Sequence, residues 1–261
     1  IGRRVDEILA ANSNLQSFTL IESDMNILTL SLNLNDRDPV LRDIFQNKEF
    51  RVALSHAIDR DSIIGRFVPG ALPHQAAPRP ESPLYHTVLA RQFITYDPVL
   101  AASHLANAGL TRKDDEGFLL RPDGKRLSFT IDTEGASRFE MLSAVIDYWR
   151  DVGLDVTARD LSRDVFVDMR EKNNHHASAW GGDGGLDAMV LPINYLPVSS
   201  ESSWYATGWA QWYSDPKNPD AVEPPAEVIR QLELYNQLKA TADAEKQNKL
   251  MRDILDISAN Q

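Results

Sequence analysis

The residue best placed to do chemistry is Asp183, in the run Trp180-Gly181-Gly182-Asp183-Gly184-Gly185. Glycines on both sides let the backbone adopt positive φ and come close to a bound molecule. A carboxylate presented this way can hold a cationic group by a charge-assisted hydrogen bond. A turn aspartate capping its own backbone produces the same pattern, and the sequence leaves both readings open. Gly182 is the point of close approach. Trp180 either stacks on a ligand or ends a buried strand. Trp204, Trp209 and Trp212, with Tyr205 and Tyr213, are too dense for one core strand. They read as the aromatic wall of a cleft, or as the packing of a long irregular segment.

Two further positions suit an anion. Thr133-Glu134-Gly135-Ala136-Ser137 puts backbone N–H groups at a helix start, where a ligand carboxylate could sit, although Ser137 also fits as a plain N-cap. Arg79, in a proline-rich loop, either meets a carboxylate or faces solvent. Asp183 with Asp187 in a Trp-lined cleft would suit a carbohydrate-active hydrolase, but no pattern names an acid and base pair. His175 and His176 are adjacent on an expected strand and point to opposite faces, so they do not share one metal ion. The glycine run lacks the Lys-Ser/Thr of a phosphate loop, and neither a Gly-x-Ser-x-Gly elbow nor a His-Glu-x-x-His pair occurs. No metal, cofactor or catalytic residue is expected.

Composition narrows the classes. The 261 residues carry 38 acidic against 27 basic side chains, a net charge of −11. That disfavours nucleic acid and anionic membrane surfaces, which need clustered Lys and Arg. There is no cysteine, which excludes disulfides, thiol nucleophiles and Cys-type zinc sites. No apolar run approaches the roughly 20 residues of a membrane span. No signal peptide is visible, and the chain is expected to be a segment cut at both ends, its parent's export signal lying outside it.

The elements that must position these residues follow from periodicity. Leu28, Leu30, Leu32 and Leu34 alternate with polar residues, as in a half-buried strand. Asp38-Pro39 and Asp97-Pro98 each pair an N-cap with proline at the first helical position. A helix is expected from Asn47 to about Phe67, with Phe50, Ala53, Leu54, Ala57 and Ile58 on one face. Residues 69–86 are proline-dense and must form an extended loop. Residues 111–126 read as a polar hairpin turning at Pro122-Asp123-Gly124. Strands at 127–133, 154–158 and 176–180 alternate with helices at 137–151 and around Val165, Phe166 and Met169, which implies a mostly parallel sheet. Two amphipathic helices close the chain.

Four of these segments, in this order, resemble the family 5 solute-binding proteins of ABC importers. They are Phe50-Arg51-Val52-Ala53-Leu54-Ser55-His56-Ala57-Ile58-Asp59-Arg60 with Gly70 and the proline loop; Asp97-Pro98 through Ala106-Asn107-Ala108-Gly109-Leu110; Asp147 through Val156; and Trp180-Gly181-Gly182-Asp183. The resemblance implies an α/β fold of the periplasmic-binding-protein type II class, a mostly parallel or mixed sheet flanked by helices. It implies a hinge-proximal segment at 1–27 and a C-terminal ligand-binding lobe at 28–261, with the N-terminal lobe absent. It implies Asp183 as the partner of a peptide ligand's α-ammonium, a monomeric periplasmic binding protein without enzymatic activity, and an ABC permease as partner. Residues 186–225 depart from the oligopeptide binders, so peptide, opine, oligosaccharide and metal chelate all stay open as ligands.

Overall fold

The computed structural model describes residues 2–12, 14–18 and 20–261. After helix α1 (Gly2–Ala11) and an irregular stretch comes strand β1 (Thr29–Leu32), then helices α2 (Pro39–Gln46), α3 (Lys48–His56), α4 (Arg60–Phe67), α5 (Thr87–Arg91) and α6 (Pro98–Asn107). An alternating unit follows: β2 (Ser128–Thr133), α7 (Ala136–Asp151), β3 (Asp155–Asp160), α8 (Arg163–Glu171) and β4 (Ala177–Trp180). Helices α9 (Thr207–Ser214), α10 (Ala226–Lys239) and α11 (Ala244–Asn260) end the chain.

The sheet runs β1-β4-β2-β3. β2 pairs in parallel with β3 and β4, and β1 lies antiparallel on β4 with Thr29 opposite Trp180 and Leu32 opposite Ala177. The sheet is therefore mixed, flanked by helices as the periodicity and the resemblance imply.

Alternation divides the sheet into two faces. Phe129, Ile131, Val156, Ala177 and Ala179 join the main core with Phe50 and Leu54 of α3, Leu105 of α6, and Leu142, Val145 and Trp149 of α7. The other face carries Asp132, Arg159, Ser178 and Trp180, with Phe166 and Arg170 of α8 near by. A second cluster joins Leu84 and Leu89 to Leu234 and Leu238 of α10 and to Met251 and Ile254 of α11.

The cap chemistry is as expected: the Asp38 carboxylate accepts from the Val40 and Leu41 amides, and Asp97 accepts from Leu100. Three local expectations are corrected. The helix expected over residues 47–67 is broken, because Asp59 accepts from the Ser62 amide and starts α4 afresh. Helix α7 begins at Ala136 behind Gly135 at φ +97°, so Ser137 lies inside the first turn and is not the cap. Helix α9 falls in a stretch read as irregular, and α5 lies where no element was expected.

Candidate functional site

The site forms where β4 ends and the approach to β1 begins. The Met25 and Asn26 amides donate to the Gly182 and Gly181 carbonyls at 2.8 and 3.2 Å, extending the β1–β4 contact past its ladder. The Arg79 amide donates to the Gly185 carbonyl at 2.7 Å, tying the proline loop to the glycine run. Asp24, Asp183 and Arg79 are thus delivered to one corner from parts of the chain far apart in sequence.

Glycine is required there, for a reason other than the one expected. Gly182 and Gly184 do take positive φ, +88° and +84°. A Cβ on Gly182 would meet Met25 Cγ at 2.7 Å, and one on Gly185 would meet the Ser23 carbonyl oxygen at 2.5 Å. The close approach is to the chain's own 23–25 segment. Gly182 supports the site from behind and does not itself face an open cleft.

Asp183 is half-buried, its carbonyl accepts from Asn194 Nδ2 at 3.1 Å, and its carboxylate accepts no hydrogen bond among the described residues. The turn-cap alternative therefore lacks its hydrogen bond. The neighbouring carboxyl is Asp24, which burial pushes above its ordinary value, Asp183 and Glu22 pushing it further against the opposing pull of Arg138 and Arg79. Arg79 donates to the Asp24 carbonyl at 3.3 Å and to Glu81 at the same distance, so it belongs to this corner and is not simply solvated.

Beside the carboxylates lies a recess of about 330 Å³ lined by Asp24, Asn26, Glu134, Gly135, Ser137 and Arg138, among others. Its far side is the start of α7, which has no side-chain cap. The Ala136 and Ser137 amides have no hydrogen-bond partner among the described residues. A helix start of this kind favours negative charge. The corner thus sets acceptors and carboxylates on one side against amide donors and Arg138 on the other.

The tryptophans separate into two groups. Trp180 stacks on Phe166 at 5.4 Å between centroids and meets Trp204 edge-on at 6.1 Å. The Arg138 guanidinium lies 4.3 Å from the Trp180 ring centroid and that of Arg163 5.4 Å, which holds Trp180 beside the α7 start. Trp204 is anchored by its indole N–H to the Glu201 carbonyl and covers Arg170. Trp209 belongs elsewhere: it is 5% exposed and packs with Ala206, Val228 and Leu232, and Trp212 leans on that same cluster. The single aromatic wall expected from Trp204, Trp209 and Trp212 is not formed, because α9 turns its tryptophans toward α10.

His175 and His176 part as alternation requires, one ring facing the Trp204 carbonyl at 2.9 Å and the other Asp36 at 2.7 Å. Asp24 was missed in the sequence. Nothing local marks it, since its importance comes from pairing with residues more than 150 positions away.

A mixed sheet flanked by helices, its strand end carrying a carboxylate unpaired among the described residues, places the chain in the α/β class of periplasmic-binding-protein folds. Residues 5–219 match the bacterial extracellular solute-binding proteins, family 5 (middle region). The chain belongs to that family. It is similar to the oligopeptide-binding protein AppA of Bacillus subtilis (strain 168), 27% identical over 176 residues, which is 66% of this chain and 30% of that protein. Among solved structures it matches the oligopeptide-binding protein OppA at 29% identity and a TM-score of 0.88, over 98% of this chain and 43% of the other. The fold alone is shared with the periplasmic binding protein MelB of Agrobacterium fabrum, solved with stachyose, at 15% identity and a TM-score of 0.76, over 98% of this chain and 40% of the other. The chain therefore spans less than half the length of the relatives it matches. These relatives are binding proteins, and the hydrolase alternative finds no support among them.

Proposed function

We propose that residues 28–261 are one lobe of a two-lobed, extracytoplasmic trap that delivers a peptide-like ligand to an ABC permease, residues 1–27 leading in from the hinge. The observation that carries this reading is the Asp183 carboxylate just past the end of β4, which has no hydrogen-bond partner among the described residues. A ligand ammonium would supply its missing partner and relieve the repulsion that, after burial, helps raise Asp24. The amide donors of α7 and Arg138 would take a ligand carbonyl or carboxylate, and Trp180 would flank the ligand backbone. The oligopeptide-binding relatives support a peptide over a sugar, although the fold also accommodates stachyose in MelB. The protein acts as a monomer in the periplasm, binds no nucleic acid and turns nothing over.

Titration calorimetry of the two-lobed protein with tripeptides tests this. Trialanine should bind, N-acetyl-trialanine should bind at least tenfold more weakly, and Asp183→Asn should remove that difference. A charge-assisted bond of about 1.5–3 kcal/mol predicts a loss of roughly 10- to 150-fold. Equal affinity for the free and acetylated peptides would remove Asp183 from the ammonium role.

A further inference from the structure

Ser55, in the last turn of α3, makes every hydrogen bond that a hydroxyl can make. It donates to the Phe93 carbonyl at 2.8 Å and accepts from the Arg60 guanidinium and from Gln75 Nε2, each at 2.7 Å. Four successive carbonyls converge on this hub. Gln92 accepts from Gln75 Nε2 at 3.0 Å, Phe93 from Ser55, and Ile94 from Arg60 at 3.4 Å, while the Thr95 carbonyl faces His56 Nδ1 at 2.8 Å. Phe93 takes φ +57°, a left-handed conformation that a non-glycine residue keeps only where its surroundings fix it. Arg60 also donates to the Ser55 carbonyl at 2.8 Å and meets no carboxylate among the described residues, and burial brings its pKa down to about 10. Carbonyls and one hydroxyl satisfy this buried cation.

The hub reaches the ligand corner through Gln75. Its side chain uses both amide hydrogens in the hub, and its backbone amide donates to the Ala90 carbonyl at 3.0 Å, so its own carbonyl is fixed in direction. That carbonyl accepts from Asn26 Nδ2 at 2.9 Å. Asn26 stands two residues after Asp24, and its backbone amide is the one bonded to Gly181, whose carbonyl also accepts from Thr29 Oγ1 at 3.0 Å. Glu22 and Ser23 are exposed and Asp24 lies outside the β1–β4 ladder, so the segment depends on a small number of bonds to stay in place. Asp24 and Asp183 repel each other, and with no ligand between them that repulsion drives the segment away from the glycine run. The relay Ser55–Gln75–Asn26 resists that displacement.

We infer that Ser55 and Gln75 are positioning residues for the ligand site: acting through Asn26, they hold Asp24 at its station beside Asp183. Neither belongs to the Trp180–Gly185 run or lines the recess at the start of α7. The bearing of this relay on binding rests on the ammonium role proposed for Asp183; the placement of Asp24 does not. If the same bonds served stability alone, removing one would lower stability and leave Asp24 in place.

Carbon-13 NMR of the aspartate carboxyls, with Asp24→Asn to assign the signal, reads the placement in the ligand-free two-lobed protein. Ser55→Ala and Gln75→Ala should each lower the Asp24 titration midpoint by about half a pH unit or more, roughly threefold in proton affinity, as the carboxyl moves toward solvent and away from Asp183. Ser55→Thr keeps the hydroxyl, and the groove of about 1170 Å³ that Ser55 helps to line has room for the added methyl, so its midpoint should match wild type. Leu105→Ala, in the same core but outside the relay, should also leave the midpoint unchanged. Calorimetry reads the consequence: the preference for trialanine over N-acetyl-trialanine should fall by about threefold or more in Ser55→Ala and return in Ser55→Thr. An Asp24 midpoint unmoved in both alanine variants overturns the inference. A shift of the same size in Ser55→Thr or in Leu105→Ala does so too, by tying it to lost stability and not to the relay. The titration needs no ligand, so it upholds or overturns the relay whether or not Asp183 takes an ammonium.

Discussion

Replacing Arg170 by methionine should leave the protein at least as stable as before. The side chain is fully buried on the polar face of the sheet, and none of its three guanidinium nitrogens has a hydrogen-bond partner among the described residues. The carboxylate that acts on it most, Asp132, is already held by Arg159 through bonds of 2.7 and 3.0 Å. What Arg170 does have is aromatic: it lies over the Phe166 ring and 3.8 Å from the centroid of Trp204. Burial drives its pKa down to about 9, against the pull of Asp132. At 1.36 kcal/mol per tenfold, that depression means the cation is held at a cost of ~4–5 kcal/mol. Two desolvated cation–π contacts return about 2 kcal/mol each. The two effects nearly cancel, with the deficit on the side of the charge. Methionine keeps the length and the contact with both rings and removes the charge, so Arg170→Met should change stability by between about 0 and +2 kcal/mol. The pH dependence makes the test sharper. Above pH 9 the folded state releases a proton from Arg170 that the unfolded chain keeps. This group's contribution to wild-type stability should therefore rise with pH there, against the opposite contribution of the buried Tyr195 and Tyr205. The variant should lose that rise. Urea unfolding at pH 7 and pH 10, followed by circular dichroism, measures both. A loss of more than 1 kcal/mol at pH 7 in the variant would refute the reasoning, by showing that the guanidinium has a partner the geometry does not reveal.

Two other perturbations test the packing and the titration. Trp149 Nε1 donates to the Leu54 carbonyl at 2.9 Å, which no helix amide takes because Ile58 N–H bonds to Ser55 instead. Trp149→Phe strands that carbonyl and leaves a small void, and should cost about 2–4 kcal/mol in urea unfolding; a cost under 1 kcal/mol would mean that α3 needs no cap. His175 is held neutral, burial lowering its pKa from 6.5 to about 4. The unfolded chain binds the extra proton between those values, so stability should fall by up to ~3 kcal/mol as pH drops from 6.5 to 4. His176, raised by its bond to Asp36, works in the opposite sense: its contribution is complete below pH 6.5 and fades as pH rises through its raised pKa. His175→Gln should flatten the acid limb, and an unchanged limb would show that some other group governs it.

Much of this architecture was legible because its signals are local. Asp38-Pro39 and Asp97-Pro98 start helices by chemistry contained in a few residues, and the 127–180 stretch alternates cleanly between two periods. What escaped was non-local or depended on competing caps. Asp59 looked like a helix-interior residue because its neighbours keep a helical period, yet its side chain caps α4. The run around Trp209 lies in a stretch that reads as irregular by its Pro and Trp content, and α9 forms with Trp209 buried against α10. For Arg170 a signal did exist: it stands four residues after Phe166, on the same face of α8. The antiparallel placement of β1 carried no signal at all, since its partner lies about 150 residues away. Asp24 escaped for the same reason, because β1 brings it to the corner.

That placement also bears on how a two-lobed trap would respond to its ligand. Since β1 runs antiparallel to β4, the chain enters β1 at the corner where β4 delivers Asp183. Residues 23–26 are bonded to the glycine run by backbone hydrogen bonds from Met25, Asn26 and Leu186, with the glycines at 181, 182 and 185 leaving no gap between the two segments. The spacing of the Asp24 and Asp183 carboxylates is therefore set by sheet register, and a slip of one residue would turn side chains to the opposite face. If residues 1–27 lead to the hinge, a ligand that pulls on Asp183 pulls on the backbone of the entry segment itself, with no intervening side chains to absorb the displacement. Binding and closure then share one rigid corner. Loosening that corner, by giving Gly181 or Gly185 a side chain, should weaken ligand binding even with every contacting group left in place.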